Sequence, residues 1–528
     1  MKKYIIPLLL VVLLISCNSQ NPTSDFRGTN TTINSFSKNY KPFQFENDQR
    51  VQLIEKVTLE IQKSIENHAD SKKIPGFAYG IVVDDNLILA KAKGLINIDN
   101  QLPATIKSSF RIASMTKSFT AMAILKLRDE GKLRLDDPVA NYIPEMANLE
   151  YLTSDSPKVT IENLLTMTAG FPEDNPWGDR QLEETDKMLI DLIKDGLSFS
   201  NVSSFRYEYS NTGYALLGKI ISRITGISYQ DYIQEHILLP LGMKNTYWEY
   251  TNIPENQFVL GYRWDEEDKQ LKKEPILHDG SYAAMGGLIT SIDDFSKYVS
   301  FHLSAWPARS DEDNGPIKRS TLREMHNPQY PFLVAKAKDY NNDPCAYTIG
   351  YGYGLGISKD CHRITKVKHS GALPGYASNY VFYPDYGVGI MAFGNLTYTS
   401  PLPTKEIEKL LFETAKIQPR ILPVSDILKK RQKQIVELIQ HWDQTLATDI
   451  LAENFFLDAS KENRESKTKD IFKKAGVIIK IHEIRPRNQL RGSFDIQTEK
   501  GIISVFFTLT PEKNPKVQRL DLKFESIE

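Results

Sequence analysis

The chain has 528 residues, 41% hydrophobic and 25% charged, which is an ordinary globular composition and enough length for two or more domains. The formal net charge is -1 and the basic residues are dispersed, which argues against nucleic acid as a partner and against an electrostatic membrane-binding patch.

The first residues, MKKYIIPLLLVVLLISC, indicate a targeting segment, because two lysines precede an apolar stretch too short to span a bilayer with ease. The ending Leu14-Ile15-Ser16-Cys17 resembles the bacterial lipobox, in which the cysteine is lipidated and becomes the mature N-terminus. An ordinary signal peptide with an incidental cysteine is the alternative. We expect a lipoprotein signal peptide over residues 1–17 and a flexible tether over 18–45. A lipid anchor would then be the only membrane contact, in a bacterial cell envelope, with the protein facing the periplasm or the cell exterior.

The elements that follow predict an α+β domain over residues 46–415. A helix is expected from Val51 to Asn67, then two strands that turn near 84–86, then an apolar helix that ends at Gly131. Helices and loops continue to about residue 300. Residues 303–348 suggest a long irregular insertion over a binding surface, and strands resume at Gly350. Strands at both ends with helices between them predict one sheet that joins the two ends of the domain.

A break at residues 416–426 precedes a smaller module, predicted over 420–528. Its first segment, DILKKRQKQIVELIQHW, has the apolar spacing of a helix. The later segments GVIIKIHEI, LRGSFDIQ, ISVFFTLTP and QRLDLKF indicate successive antiparallel strands. The module is therefore predicted to be a small α+β fold.

The stretch FRIASMTKSF places Ser114 three residues before Lys117, so a helix would put the lysine amine beside the serine hydroxyl. A serine hydroxyl needs such a base to act as a nucleophile, and an apolar setting would leave the lysine partly neutral. A helix-capping serine is the alternative. The same spacing recurs at Ser35 and Ser466, but the first lies in the predicted tether and the second in a run of charges.

Tyr209-Ser210-Asn211 falls in a loop directly before another predicted helix. The phenol could act as a general base or proton shuttle, and the amide could orient a substrate amide. The alternative is an ordinary helix start with Asn211 as its cap.

His369-Ser370-Gly371 ends a predicted strand. Gly371 permits close approach of the backbone, and the N–H of Ala372 could join that of Ser114 in an oxyanion hole. A lone histidine is more often structural than catalytic, so this motif is weak by itself.

The order of these three motifs resembles the serine β-lactamase and penicillin-binding-protein superfamily, most closely its class C β-lactamase, D,D-carboxypeptidase and esterase branch. The stretches that carry the resemblance include RIASMTKSFTAMAILKLRDEGKLRLDDPV, TIENLLTMTAGFP and YSNTGYALLGKIISRITG. The resemblance implies an antiparallel sheet flanked by helices with an all-helical subdomain. The C-terminal module resembles, more weakly, the NTF2-like fold.

By that resemblance Ser114 attacks the substrate carbonyl, Lys117 assists its deprotonation and Tyr209 shuttles protons. Asn211 would orient the acyl side chain, and His369 would contact a substrate carboxylate or support Tyr209. Whether Lys117 or Tyr209 is the true base stays open at this point.

Two departures limit the resemblance to true β-lactamases. His369 stands where most of them carry lysine, and a histidine is less reliably cationic at neutral pH. No glutamate can be placed as the deacylating base of the class A enzymes. We therefore expect an envelope serine hydrolase that acts through an acyl-enzyme on a small-molecule or peptide substrate, an amide or ester, for example one derived from the cell wall. The alternatives are a true class C-like β-lactamase and a penicillin-binding sensor or scaffold without turnover. No cofactor is implied.

Beyond Cys17 the chain has two cysteines, Cys345 and Cys361. Outside the cytoplasm such a pair invites a disulfide. However, the segment YTIGYGYGLGIS between them looks like one extended strand, which would hold the thiols apart, so separate thiols are the favoured expectation. Neither cysteine neighbours a histidine in zinc-like spacing, so no metal site is expected.

Overall fold

The computed structural model describes residues 40–527, and Cys17, the leader over 1–17 and most of the predicted tether lie outside this range. Between Pro423 and Val424 the chain divides into two compact units, here called the N-terminal unit (residues 42–423) and the C-terminal unit (residues 424–527). Within the described residues, none of the helices combines the length and the apolar character needed to cross a bilayer.

The N-terminal unit is built on a nine-stranded sheet. The strands of this unit are β1 (Gly76–Val83), β2 (Asn86–Asn97), β3 (Leu102–Pro103), β4 (Phe110–Arg111), β5 (Tyr262–Asp265), β6 (Gln270–Lys273), β7 (Ile289–Thr290), β8 (Phe332–Val334), β9 (Tyr347–Tyr351), β10 (Gly356–Lys359), β11 (Thr365–Leu373), β12 (Tyr376–Tyr383) and β13 (Val388–Gly394). The strand order in the nine-stranded sheet is β3-β2-β1-β13-β12-β11-β10-β9-β8, and every neighbouring pair in it is antiparallel.

The helices of the N-terminal unit lie on both faces of the sheet. They are α1 (Arg50–Glu55), α2 (Thr58–Ser71), α3 (Lys117–Asp129), α4 (Ile161–Leu165), α5 (Asn175–Gly178), α6 (Asp186–Asp195), α7 (Asn211–Thr225), α8 (Tyr229–Ile233), α9 (Ile292–Ser304), α10 (Arg319–Met325) and α11 (Thr404–Lys409). Short 3₁₀ turns include Ala113–Thr116 and Ser281–Met285.

The sheet joins the two ends of the unit, as predicted, because β1 pairs with β13 in the register Phe77↔Gly394. Strand β1 is apolar and buried along its whole length, which suits a central strand covered on both faces. Its residues alternate between two cores. Ala78 and Val82 belong to the core shared with α3, α7 and α9, and Tyr79 and Ile81 belong to the core shared with α1, α2 and α11.

Two predicted elements differ in detail. The helix expected from Val51 to Asn67 is two helices, α1 and α2, separated at Lys56–Val57. The expected irregular insertion over 303–348 contains α10 and β8, and β8 pairs with β9 at the edge of the sheet. The insertion is therefore in part an extension of the main sheet.

The expectation of separate thiols was wrong, because Cys345 and Cys361 form a disulfide with their Cα atoms 5.4 Å apart. The segment between them is two strands: β9 runs out to Tyr351, and β10 returns antiparallel in the register Gly356↔Tyr351. The chain reverses at Gly354, whose φ of +72° favours glycine. A hairpin brings together ends that one continuous strand would separate.

The C-terminal unit consists of helices and an antiparallel sheet. Its helices are α12 (Asp426–His441), α13 (Gln444–Ile450) and α14 (Lys461–Ala475), and its strands are β14 (Ile478–Ile481), β15 (Arg485–Asn488), β16 (Arg491–Thr498), β17 (Gly501–Leu509) and β18 (Val517–Ser526). The order is β14-β16-β17-β18, with β15 also paired to β16. Along β16 and β17 buried and less buried residues alternate, which places one face of the sheet against its own core.

Candidate active site

Ser114 lies in the 3₁₀ turn that connects β4 to α3, and it is buried with only 7% exposure. The residue before it, Ala113, has a φ of +50°, a backbone conformation that costs energy for a residue with a Cβ. Neither the turn nor α3 has a side-chain cap, so the capping interpretation of Ser114 is not supported. Its hydroxyl oxygen instead accepts a hydrogen bond from Lys117 Nζ at 3.2 Å.

Lys117 is fully buried at the first position of α3. Its ammonium also donates to Asn211 Oδ1 at 2.7 Å and to the carbonyl oxygen of Met285 at 2.8 Å. Burial lowers the pKa of Lys117 to about 7, because desolvation penalises the charged form more than the nearby carboxylates favour it. A substantial share of the neutral amine is therefore present near neutral pH.

Asn211 opens α7 and is fully buried. The helix is capped by Ser210, whose hydroxyl accepts from Gly213 N–H at 3.2 Å, so the alternative of Asn211 as cap is wrong. The Asn211 side chain is occupied at both ends, because Oδ1 accepts from Lys117 and Nδ2 donates to Asn175 Oδ1 at 3.2 Å. In this structure it holds Lys117, and its contact with a substrate stays a prediction.

Two aspartates that the sequence analysis did not single out support this arrangement. Asp174 accepts from the backbone N–H groups of Asn211 at 2.6 Å and Thr212 at 2.9 Å. Asp179 is buried, accepts from Tyr398 Oη at 3.1 Å, and has its pKa raised to about 6 by burial, opposed by the charge of Lys117. Both carboxylates favour the charged form of Lys117 and so keep its pKa from falling further.

Tyr209 precedes Ser210 in the loop before α7, and its ring centroid lies 4.9 Å from Lys117 Nζ. Burial raises the pKa of Tyr209 well above its usual value, although an interaction with the Ser114 hydroxyl opposes that shift. The phenol is therefore protonated at neutral pH and can donate a proton, whereas a resting phenolate is disfavoured.

His369 is buried on β11, and its two ring nitrogens are engaged. Nδ1 lies 2.7 Å from the carbonyl oxygen of Ser370, which can only accept, so this nitrogen carries the proton. Nε2 lies 3.1 Å from Tyr351 Oη and accepts from that hydroxyl. Burial, with Lys117 as a further cause, lowers the pKa of His369 to about 4. The imidazole is thus neutral at physiological pH.

Gly371 shows the close approach that its residue type suggested. A Cβ at this position would lie 2.0 Å from the carbonyl oxygen of Ile112 and 3.0 Å from Ala113 Cβ. Ser378 Oγ on β12 donates to the same Ile112 carbonyl at 2.8 Å. These contacts fix β11 against the segment that leads into Ser114. Ala372 follows on the same strand, and its role in an oxyanion hole stays a prediction.

Strand β11 is partly open beside the site. Strand β10 pairs only with the portion Thr365–Lys368, so the portion from His369 onward has no neighbouring strand on that side. A cavity of about 660 Å³ begins here and is lined by Tyr209, Tyr351, His369 and Ser370. Ser114 does not itself line this cavity, which adjoins the nucleophile through Tyr209 and His369.

The fold thus brings Ser114, Lys117, Tyr209 and Asn211 together and places Gly371 against the residues before Ser114. Sequence reasoning missed Met285, Asn175, Asp174, Asp179 and Tyr351. Met285 acts through its backbone carbonyl, and because every residue has one, the residue type does not indicate this contact. The two aspartates lie in a loop region whose folding the pattern of apolar residues did not indicate.

Among the described residues, one group of three could place metal-ligand atoms together, namely Cys345, Cys361 and His362. Both sulfurs are bonded to each other, so neither is available as a thiolate ligand.

Comparison with known proteins identifies the family of this chain. A profile of the beta-lactamase family matches residues 61–412. Protein flp of Staphylococcus aureus (strain MW2) is 30% identical over 340 residues, which are 64% of this chain and 63% of the relative. Beta-lactamase-like protein 2 of Dictyostelium discoideum is 31% identical over 283 residues, 52% of this chain and 50% of the relative. This chain therefore spans only part of the length of these relatives.

Solved structures show the same fold. The octameric penicillin-binding protein homologue from Pyrococcus abyssi aligns with a TM-score of 0.54 and 23% identity over 89% of this chain and 96% of that chain. A penicillin binding protein from Bacillus halodurans aligns with a TM-score of 0.51 and 22% identity over 66% of this chain and 98% of that chain. The chain belongs to the beta-lactamase family, within the serine β-lactamase and penicillin-binding-protein superfamily.

Proposed function

We propose that this member of the beta-lactamase family is a serine hydrolase that forms an acyl-enzyme at Ser114 and acts on an amide, peptide or ester, in the manner of the D,D-carboxypeptidase and esterase branch. The observation that carries the proposal is the buried pair of Lys117 Nζ and Ser114 Oγ, 3.2 Å apart, in which burial lowers the pKa of the lysine to about 7. A neutral amine in hydrogen-bond contact with a serine hydroxyl is the base that acyl transfer requires.

In the acylation step, the Ser114 proton passes to neutral Lys117 Nζ while Ser114 Oγ bonds to the substrate carbonyl carbon. The N–H groups of Ser114 and Ala372 are the proposed donors to the oxygen that becomes negative. Collapse of the tetrahedral species breaks the bond to the leaving amine or alcohol, which takes up a proton. Tyr209, protonated and close to Ser114, can donate that proton and recover one from Lys117.

The protonation states favour Lys117 over Tyr209 as the base in the free enzyme. Burial moves the pKa of Lys117 down toward neutrality and the pKa of Tyr209 further up, so the amine is the group that can accept a proton at neutral pH. Tyr209 is assigned the complementary role of proton donor.

A substrate panel tests the proposal. D-Ala-D-Ala peptides, 4-nitrophenyl esters, D-amino-acid amides and nitrocefin would be offered to the wild type and to Ser114→Ala. We expect sustained turnover of at least one peptide, amide or ester by the wild type and none by the variant. Equal turnover by the two proteins would contradict the assignment of the nucleophile.

The same panel separates the alternatives. Fast, sustained nitrocefin turnover would indicate a true β-lactamase. The neutral His369 does not favour that function, because it supplies no positive charge for a β-lactam carboxylate. Permanent acylation by every substrate would indicate a penicillin-binding sensor, and the measurement is the half-life of the labelled protein.

Two further features belong to this proposal. Lipidation of Cys17 would tether the enzyme to the bacterial envelope. Labelling with palmitate tests this, and a wild-type protein that takes up no label would contradict the proposed lipidation. The helices and antiparallel sheet of the C-terminal unit support an NTF2-like module.

A further inference from the structure

The cavity beside Tyr209 extends well beyond the catalytic residues. From His369 and Ser370 it continues over strands β8 to β12, between the chain segment that contains β8 on one side and α11 on the other. In the registers Lys368↔Val381 and Ser370↔Asn379 both partners belong to the lining, so the face of the sheet that carries Lys368 is the floor of the cavity. His369 and its partner Tyr380, whose side chains point to the other face, also line it where β11 has no neighbouring strand.

The charged residues of the cavity are mostly basic. Its lining includes five lysines (Lys336, Lys338, Lys366, Lys368 and Lys405) and three carboxylates (Asp339, Asp360 and Glu408). The chain as a whole has a formal net charge of only -1, so this excess of lysine is a local feature. A basic lining favours anionic ligands.

The three carboxylates are already occupied. Glu408 accepts from Lys366 Nζ at 2.8 Å and from Tyr383 Oη at 3.0 Å. Asp360 lies 3.4 Å from Lys366 Nζ, and Asp339 lies 2.8 Å from His362 Nε2. One cavity lysine, Lys366, thus satisfies two of the acids.

Lys368 has no such partner. Within the part of the chain that the structure describes, no carboxylate lies within ion-pair distance of its ammonium group. Strand β10 places Gly356 directly opposite it, and the absence of a side chain there leaves the cavity open above the lysine. Lys368 is exposed toward this space. The surrounding protein and the neighbouring charge of Lys366 lower the pKa of Lys368, and the more distant Glu408 carboxylate only partly opposes that shift, so a bound anion would further stabilise the charged form.

His369 cannot supply the charge in its place. Its Nδ1–H donates to Ser370, its Nε2 accepts from Tyr351, and it is neutral. Successive side chains of a strand point to opposite faces of the sheet, so Lys368 lies on the other face of β11 from His369. The cavity is lined by both residues, so a substrate anion that follows it from His369 reaches Lys368 on the far face.

We infer that the cavity is the binding site for an anionic extension of the substrate, and that Lys368 is its specificity-determining residue. The substrate class is an amide, peptide or ester that carries a carboxylate on an extended stem. The stem has apolar and aromatic surface to lie on, since Phe332, Val334, Tyr347 and Ile349 also line the cavity. This inference rests on the proposed acyl-enzyme at Ser114 and adds the chemistry of the substrate to it.

The test compares substrates that differ only in charge. One pair places the charge in the acyl part: 4-nitrophenyl hydrogen pimelate against the neutral 4-nitrophenyl pimelamate. The other pair places it in the leaving group: 3-carboxyphenyl pentanoate against 3-carbamoylphenyl pentanoate. The readout is the ratio of kcat/KM for the acid to kcat/KM for the amide within each pair, at low ionic strength.

We expect the wild type to prefer the acid by about tenfold or more in at least one pair, since a charge-assisted hydrogen bond replaces a neutral one. The pair that responds identifies the side of the scissile bond that the cavity holds. Lys368→Gln should bring that ratio close to one, Lys368→Glu should invert it, and Lys368→Arg should keep most of it. Added salt should reduce the ratio, because a partly exposed charge is screened.

Lys359→Gln is the matched control, because Lys359 is an exposed lysine on the adjacent strand β10 that does not line the cavity. It should leave the ratio as in the wild type.

A ratio of one or less in both pairs, or a preference that persists in Lys368→Gln, would overturn the inference while Ser114 still reacts with a neutral fluorophosphonate. If that reagent fails to label Ser114 as well, the proposed function itself is overturned. Labelling of each variant at the wild-type rate shows that it is folded.

Discussion

Lys117 and His369 are both buried, and burial moves the pKa of each toward its neutral form, to about 7 and about 4. The consequences differ because the partners differ. Lys117 contacts the Ser114 hydroxyl and can act as its base. In contrast, both ring nitrogens of His369 are hydrogen-bonded, to the Ser370 carbonyl and to the Tyr351 hydroxyl. Residue type alone could not separate these two roles.

The state of Lys117 predicts the pH dependence of acylation. The neutral amine is the reactive form, so the acylation rate should be low in acid and rise with pH through a midpoint near 7. Lys117→Ala should reduce the rate by roughly 10²- to 10⁴-fold. The measurement is the rate of fluorophosphonate labelling from pH 5 to pH 9. Lys117→Arg, which keeps the charge but does not deprotonate, should be as slow as the alanine variant, and a flat wild-type profile would contradict the role of Lys117.

Close approach at Gly371 predicts a second effect on acylation. The Cβ of Gly371→Ala would meet the Ile112 carbonyl at 2.0 Å, so β11 must shift away from the segment before Ser114. Misplacement of this kind lowers the acylation rate, by about 10²-fold for a shift of about 1 Å. Gly213→Ala is the control, because its Cβ would meet no atom closer than 3.7 Å. Equal acylation rates in Gly371→Ala and Gly213→Ala would show that acylation does not require the close approach of Gly371 to Ile112.

The disulfide and the β9–β10 hairpin act together as one element. The bond closes a loop with a sequence separation of 16, and it joins the segment after β8 to the turn before β11. Loop-closure entropy predicts that Cys345→Ser with Cys361→Ser lowers the free energy of unfolding by about 3 kcal/mol. Urea denaturation of the wild type and the double variant measures this.

Reduction provides the control for that comparison. Treatment of the wild type with a reductant should reproduce the loss of stability seen in the double variant and should leave the double variant unchanged. If the reductant has no effect on the wild type, the bond does not contribute to stability as described.

Helices α9 and α10 enclose a buried histidine pair. Trp306 Nε1 donates to His326 Nδ1 at 2.9 Å, so the proton of His326 is on Nε2, which donates to His302 Nδ1 at 2.8 Å. Burial lowers the pKa of His302 to about 3 and that of His326 well below its usual value. Both rings are therefore neutral in the folded protein.

This pair predicts a loss of stability in acid. The unfolded chain takes up protons on these histidines below about pH 6.5, whereas the folded protein does not until about pH 3 for His302. The contribution of the two neutral histidines to the free energy of unfolding is thus complete above pH 6.5 and is lost as the pH falls from 6.5 toward 3. His302→Phe should have a lower melting temperature at neutral pH but a shallower decline in acid. Parallel declines for the two proteins would contradict this account.

For the whole molecule, the sheet that joins β1 to β13 could be predicted because apolar strands are local patterns visible at both ends of the unit. Residue type and short spacing made Ser114, Lys117 and Tyr209 candidates, and the resemblance of the three motifs together to a known superfamily favoured the catalytic roles over helix capping. The disulfide could not, since the β9–β10 turn reverses a segment whose composition suggests one continuous strand. The contacts of Asp174 and Met285 with this centre join residues far apart in the chain, and no local pattern encodes them.

Ser114 is thus proposed as the nucleophile of an acyl-enzyme whose base is Lys117. The most direct measurement is intact mass and peptide mapping after reaction with a fluorophosphonate and with a labelled penicillin. We expect one adduct per chain, on Ser114, that is absent from Ser114→Ala and forms far more slowly in Lys117→Ala. An adduct on another residue, or an undiminished adduct in Ser114→Ala, would contradict it.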